Sequence, residues 1–194
     1  MKFLLSLALI ILSQAYAKAT DTPKVSTGVI NVRQFEESSK KVKSYKDAIN
    51  KKKEKYQNEL KRMGEEINAD SSALQSKISA LSAAQKKVEE GKIQSRIEQA
   101  TKYAQRAKAI IELAESYSGE DLNKCIMRDV EKVSKSSGMD VVLNSNSVLF
   151  ISDNIPDITE KVVKEFDNSS CKLDIDNNFA KAKKDVENAE KNNK

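Results

Sequence analysis

The sequence predicts an α+β protein: a long antiparallel helical hairpin, coiled-coil-like in its pattern, inserted into a small β-sheet body that carries a C-terminal helix. Three observations predict this class. Between Gln34 and Ser137 there is no proline and only three glycines, at 64, 91 and 119, in a highly charged stretch far longer than a globular domain gives one helix. The apolar residues of that stretch recur in heptads, the signature of a coiled-coil seam. Short β-branched runs lie on both sides of it, and one sheet can unite them only if the helical region turns back. Composition agrees. With 39% hydrophobic and 32% charged residues, five Gly and two Pro in 194 residues, a large spherical core and a many-turned β fold are both excluded. Aromatic residues are only 5%, and His is absent, which removes the commonest general base and metal ligand.

The elements follow in order. Lys2, the apolar run Phe3 to Leu12, and small residues at Ala15, Ala17 and Ala19 read as a secretory signal over residues 1–19, cleaved after Ala17 or Ala19, because ten apolar residues are too few to span a bilayer. The mature chain is then expected in an oxidising space outside the cytoplasm. Residues 20–33 form the first part of the body, with Gly28 to Val32 as a strand. Residues 34–137 form the arm. In it Leu60, Ile67, Leu74, Leu81 and Val88 fall seven apart, while Ile93, Ala100, Ala107 and Ala114 interleave with Ile97, Ala104 and Ile111. The first seam is incomplete, with Lys46, Lys53, Asp70 and Lys77 at positions that want apolar residues. Ser82-Ala83-Ala84-Gln85 is a capping-box pattern and puts the tip at 79–82. The rival tips, Asp70-Ser71-Ser72 and Gly91, leave more unequal arms. Two arms of roughly 45 residues are about 65 Å long. Residues 138–167 complete the body, with Met139 to Leu143 and Ser147 to Ile151 as a strand hairpin and a helix from Asp157 to Phe166 whose Ile158, Val162 and Phe166 share one face. Residues 168–194 read as a mobile polar tail.

Charge divides the chain. Lys40 to Lys108 holds 18 Lys and Arg against 9 Asp and Glu, a net of +9, whereas the rest from Thr20 holds 14 against 20. Basic stripes at Lys51, Lys52, Lys53 and Lys55, and at Lys86, Lys87, Lys92 and Arg96, suit acidic partners and raise encounter rates. Tyr45, Ile49, Tyr56 and Met63 lie among them at helical spacing, some as seam and others as adaptable contacts. Val29, Ile30, Val32, Val141, Leu143, Val148 and Phe150 are the candidates for body and interface packing, since a body of some 50 residues with exposed sheet edges is marginal alone. Cys125 and Cys171 fall near one end of the molecule and form a disulfide, an intersubunit bridge or two free thiols; the intrachain bond adds ~3 to 4 kcal/mol in the chain-entropy model. Nucleotide, hydrolase and metal motifs are missing, and Asp174-Ile175-Asp176-Asn177-Asn178 lacks the glycine and terminal glutamate of a calcium loop. No cofactor and no metal are expected, and the chain is read as no enzyme.

The order of parts resembles one family. Gly28-Val29-Ile30-Asn31-Val32 followed by Phe35-Glu36-Glu37-Ser38, the basic helices, Leu81-Ser82 leading into Tyr103-Ala104-Gln105, Gly138 to Asn144 with Ser147 to Phe150, and Asp157-Ile158-Thr159-Glu160-Lys161-Val162 are similar to the Skp/OmpH family of periplasmic chaperones for outer-membrane proteins. The resemblance covers roughly residues 28 to 167. It implies a periplasmic homotrimer whose helical arms enclose a cavity for unfolded outer-membrane β-barrel proteins, with contact to anionic lipid or lipopolysaccharide as a further partner; the secretory signal and the lack of a recognised nucleic-acid-binding fold speak against nucleic acid. Cys125, Cys171 and the tail depart from it. The function expected is an ATP-independent holdase; the alternative is a periplasmic or surface coiled-coil spacer, which requires complete apolar seams.

Overall fold

The computed structural model describes residues 24–192, so the signal-peptide reading of residues 1–19 lies outside the described residues. Strand β1, Thr27–Ile30, leads into helix α1, Val32–Ser38, which Asn31 caps by accepting the Gln34 N–H. Ser39 breaks the chain and caps helix α2, Lys40–Lys77. A 3-10 turn at Ile78–Ala80 reverses direction, and helix α3 runs back over Ala83–Ser136. Strand β2, Val141–Asn144, helix α4, Thr159–Asn168, and helix α5, Ile175–Asn192, complete the chain.

The expected capping box closes the tip: the Ser82 hydroxyl accepts from Gln85 N–H at 3.3 Å while the Gln85 side chain accepts from Ser82 N–H at 2.9 Å. The arms are less equal than expected. At ~1.5 Å per residue, the 38 residues of α2 span about 57 Å and the 54 of α3 about 81 Å. The difference arises at the body, where Ser38-Ser39 ends one helix and starts another while α3 continues unbroken to its C-cap. There Gly138 takes the left-handed conformation (φ 65°), its N–H reaching Lys135 O and that of Met139 reaching Ser134 O.

The expected strand hairpin does not form. β2 pairs in parallel with β1, Thr27 opposite Val141 through Ile30 opposite Asn144, so the whole arm is the crossover between two parallel strands. A tight hairpin turn needs positive φ at its central residues, and among the described residues only Gly138 has it. Asn144 instead folds its carboxamide back onto Asn146 N–H, and the chain enters a 3-10 turn at Ser145–Ser147. Ser147 to Ile151 is therefore no strand, and Leu149 and Phe150 are exposed. On the other side of β1 the chain near Asp157 lies parallel as a single bridge: Val29 N–H donates to Pro156 O and Ile158 N–H to Val29 O, both at 2.9 Å. Gly28 lets the strands pack closely here: a Cβ at that position would meet Pro156 O at 3.3 Å and would displace the flexible Met139 side chain, whose Sδ lies 2.3 Å away.

The body core is small. Ile30, Phe35, Val42, Cys125, Val133, Ile158, Val162 and Phe166 bury one another, with the Phe35 and Phe166 rings edge to face at 5.3 Å. Cys125 and Cys171 form a disulfide with Cα atoms 5.9 Å apart, across a sequence separation of 46. Of the body candidates Val29 and Ile30 are buried, whereas Val32 opens α1 instead of extending the strand, and Val141, Leu143 and Phe150 are exposed with Val148 half-buried. The segment expected as a mobile tail is a packed helix in this fold. Ile175, Phe179, Ala182 and Val186, at i, i+4, i+7 and i+11, make a stripe that the polar composition of residues 168–194 hid, and the first three are buried. The Asp174 carboxylate, part of the calcium-like run, caps this helix by accepting Asn177 N–H at 3.0 Å.

One polar exchange fastens arm to body. Asp167, at the end of α4, accepts the Ser39 hydroxyl at 2.6 Å and the N–H groups of Lys40 and Lys41 at 3.1 Å, an anion on the start of α2. In return the Lys41 ammonium caps the end of α4 on Phe166 O at 2.6 Å and Ser169 O at 2.8 Å. Burial opposes ionisation of Asp167, but the Ser39 hydroxyl, the two N–H groups and the Lys41 charge outweigh it and hold the carboxyl below its usual range. A carboxylate with a depressed folded pKa adds stability above its unfolded pKa and loses it as pH falls through the folded value. Asp167→Ala should therefore cost ~1 to 2 kcal/mol at pH 7, as loss of a helix cap does, in urea titrations. The gap from the parent should narrow below about pH 4. Equal stability of variant and parent at pH 7 would refute the assignment.

Candidate functional site: the helical arms

The two arms meet along one seam whose quality falls steeply from body to tip. Val42 and Ile49 are buried on α2, and Ala107, Ile110 and Ala114 on α3, where small side chains let the backbones approach. From Asn50 to Arg106 no side chain is buried. Leu60, Ile67, Leu74, Leu81, Ile93 and Ala100 are only half-buried there. Val88 and Ile97, expected to extend the seams, are exposed. Val88 follows the 3-10 turn, which resets the helical phase so that the heptad of α2 does not carry over; along α3 it is Ile110, more than Ile111, that turns inward.

Two of the four charged seam positions, Lys53 and Asp70, are satisfied across the arms. Lys53 reaches Glu115 at 2.9 Å and Asp70 meets Arg96 at 2.6 Å, while Lys46 turns back to Glu36 at 3.0 Å. These pairs align the helices but contribute little stability, because each is at least a third exposed. Beyond Asp70 and Arg96 the arms enclose an open groove of about 940 Å³, whose apolar floor includes Leu74, Leu81, Val88 and Ile93 and whose rim carries Lys77 and Lys92.

The predicted contact residues divide into three groups. Tyr45, Ile49 and Tyr56 do not present a free apolar face: Ile49 is buried, and all three pack in the cluster where α5 lies across both arms. Tyr56 stacks on Phe179 at 6.4 Å and faces Tyr103 at 6.3 Å; burial raises the pKa of both tyrosines, which stay neutral and act as apolar surface. Lys52, Lys53, Lys92 and Arg96 are in ion pairs with Asp176, Glu115, Glu89 and Asp70. Lys51, Lys55 and Lys87 are exposed, Lys86 and Met63 are half-buried, and these four lysines make no ion pair among the described residues. Sequence reasoning missed Phe179 and the α5 face, for which the i, i+4, i+7 spacing from Ile175 was the available signal. It also left Tyr103 without a role.

The unpaired lysines are the ones available to steer an acidic polypeptide. Lys51→Glu with Lys87→Glu leaves the Asp176 and Glu115 pairs intact, whereas Lys55 lies close enough to Asp176 to act on its charge. The double substitution should slow capture of an acidic unfolded chain roughly tenfold at low ionic strength, the low end of electrostatic steering. The difference should vanish near 1 M salt, where the Debye length is ~3 Å. Stopped-flow capture at two salt concentrations checks this, and an unchanged low-salt rate would make these lysines an ordinary solvated face.

Comparison with known proteins matches this geometry to one group. A family profile described as outer membrane protein (OmpH-like) matches residues 26–166, which contain β1, both arms, β2 and most of α4 but not Cys171 or α5. No curated protein sequence matches the chain. Among solved structures, the crystal structure of a protein designated an OmpH-like outer membrane chaperone, from Caulobacter crescentus CB15, superimposes with a TM-score of 0.67 at 16% identity, over 78% of this chain and 90% of that one. At that identity the match speaks for the fold.

Proposed function

The chain belongs to the OmpH-like family of outer membrane protein chaperones, which are not enzymes, and from that membership we propose that it is an ATP-independent holdase for unfolded outer-membrane β-barrel proteins in the periplasm. The observation that carries the reading is the open arm: two long basic helices with no buried side chain from Asn50 to Arg106 and an apolar groove between them. Such a surface offers many weak contacts, each quickly reversible and strong only in sum. Binding the unfolded state and not the folded one shifts the equilibrium by mass action, without nucleotide hydrolysis. The client leaves when a better sink, such as the bilayer, takes it.

Assembly as a homotrimer, with three pairs of arms around a shared cavity, belongs to the same proposal. The body supports it by exposing Val141, Leu143, Leu149 and Phe150 beside a β2 edge that no strand covers among the described residues. The unpaired arm lysines also suit an anionic lipid or lipopolysaccharide headgroup. A spacer protein, the alternative, calls for tight seams along the whole arm, which the exposed Val88 and Ile97 contradict.

The experiment is aggregation suppression. A β-barrel protein in urea, diluted into the mature protein at equimolar trimer, should stay soluble, with light scattering reduced several-fold. Unchanged scattering would overturn the holdase reading.

A further inference from the structure

Helix α5 lies outside the part of the chain that matches the family, yet it covers the best-formed apolar surface of the arm. It seats Ile175, Phe179 and Ala182 between α2 and α3 against Ile49, Ile110 and Ala114, running from the body toward the tip. Its polar anchors are largely acidic groups on arm donors: Asp176 on Lys52, Glu190 on Arg106 at 2.7 Å, and Asp185 accepting the Tyr117 hydroxyl at 2.9 Å. Asn178 adds a hydrogen bond to Asp121 at 3.0 Å, and Lys181 sits over the Tyr117 ring at 3.9 Å. The fit is incomplete where Phe179 meets Tyr56 and Tyr103, leaving a hollow of about 300 Å³ rimmed by Lys52, Lys55 and Lys183. An 18-residue helix is marginal alone, so α5 is helical chiefly because this groove folds it.

We propose that the groove under α5 is a client-docking site that α5 fills in cis as a placeholder. The segment it accepts is an acidic amphipathic stretch of unfolded polypeptide with apolar residues at i, i+4 and i+7, an aromatic one in the middle. That occupant reproduces what α5 itself presents to the groove. The identity of the occupant rests on the holdase reading; the groove as a helix acceptor does not. The Cys125–Cys171 bond pins the chain to α3 with only residues 172–174 between it and α5, and Leu173 packs on the body core, so the local concentration of α5 is high and it returns once the client departs. The arm thus has two surfaces, an open distal groove and a proximal one uncovered only by competition.

The test uses the full chain carrying Phe179→Ser and Ala182→Asp, which removes the aromatic anchor and buries a charge. Amide exchange over residues 175–190 reports release of α5, and helical circular dichroism reports an intact arm. A fluorescein-labelled peptide of residues 172–192 with the parent sequence should bind this variant saturably, one per chain, and the parent chain at least tenfold more weakly. Unfolded β-barrel protein should displace it. A second variant, Asp176→Lys with Glu190→Lys, loosens the anchors without touching the core and should give intermediate affinity, so the result is readable even if the first variant misfolds. Failure of the peptide to bind a variant whose α5 is released would overturn the proposal outright. Peptide binding that a held client does not displace would reduce the groove to an intramolecular fastening. If neither parent nor variants hold any client, the holdase reading falls and takes the proposed occupant with it, while peptide binding still reports whether the groove accepts a helix in trans.

Discussion

Everything in this molecule hangs on the parallel pairing of Thr27–Ile30 with Val141–Asn144. Antiparallel neighbours can be joined by a turn, but parallel ones require a crossover, and here the crossover is a pair of helices that leave the body and come back. The short ladder does not hold them by itself. Phe35, Ile158 and Phe166 pack with Ile30 in the core, Asp157 bridges to β1 and accepts the Thr159 N–H at 2.8 Å in a turn that precedes α4, and the Thr159 hydroxyl accepts the Asn31 N–H at 2.8 Å. The reciprocal caps of Asp167 and Lys41 then fix the direction in which α2 departs. The body is therefore the rigid end, and order decreases outward along the arms.

That gradient is written in side-chain chemistry. Near the body, Ala107 and Ala114 allow close helix approach and α5 adds a third helix, so a compact three-helix section forms. Within that section the seam position Lys53 already pairs with Glu115, and farther out Asp70 pairs with Arg96, each partly exposed and each bonded to the facing arm. Replacing apolar seam residues by exposed ion pairs keeps the helices aligned while giving up packing, and a surface that gives up packing against itself remains available to another chain. The excess of Lys and Arg along the same stretch adds long-range attraction for acidic groups.

The helical arms were legible because their signals are local and repeated: the absence of Pro, the heptads, and the Ser82–Gln85 box all report on neighbours within a few residues. The Asp157-Ile158-Thr159 run is visible as a motif, though its bridge to β1 and its turn bond appear only in three dimensions. The sheet was misread because two apolar runs separated by Asn144-Ser145-Asn146 imitate a hairpin, and nothing local records that β2 has its partner more than a hundred residues away. Helix α5 was missed for the opposite reason, since its apolar stripe is short and diluted by lysines, and its helicity depends on Tyr56, Ile110 and Ala114, contributed from elsewhere. The Asp129 carboxylate shows the same limit: it is buried on α3, held by Arg128 at 2.8 Å, and no sequence pattern sets it apart from its exposed neighbours.

The central claim, that the arms hold the client while the body only positions them, is tested most directly by amide hydrogen exchange on the full chain with and without a saturating unfolded β-barrel protein. New protection is expected along α2 and α3 between residues 57 and 106, with no change in β1, α1, β2 and α4. Protection confined to the body, with the arms exchanging as in the free protein, would contradict it.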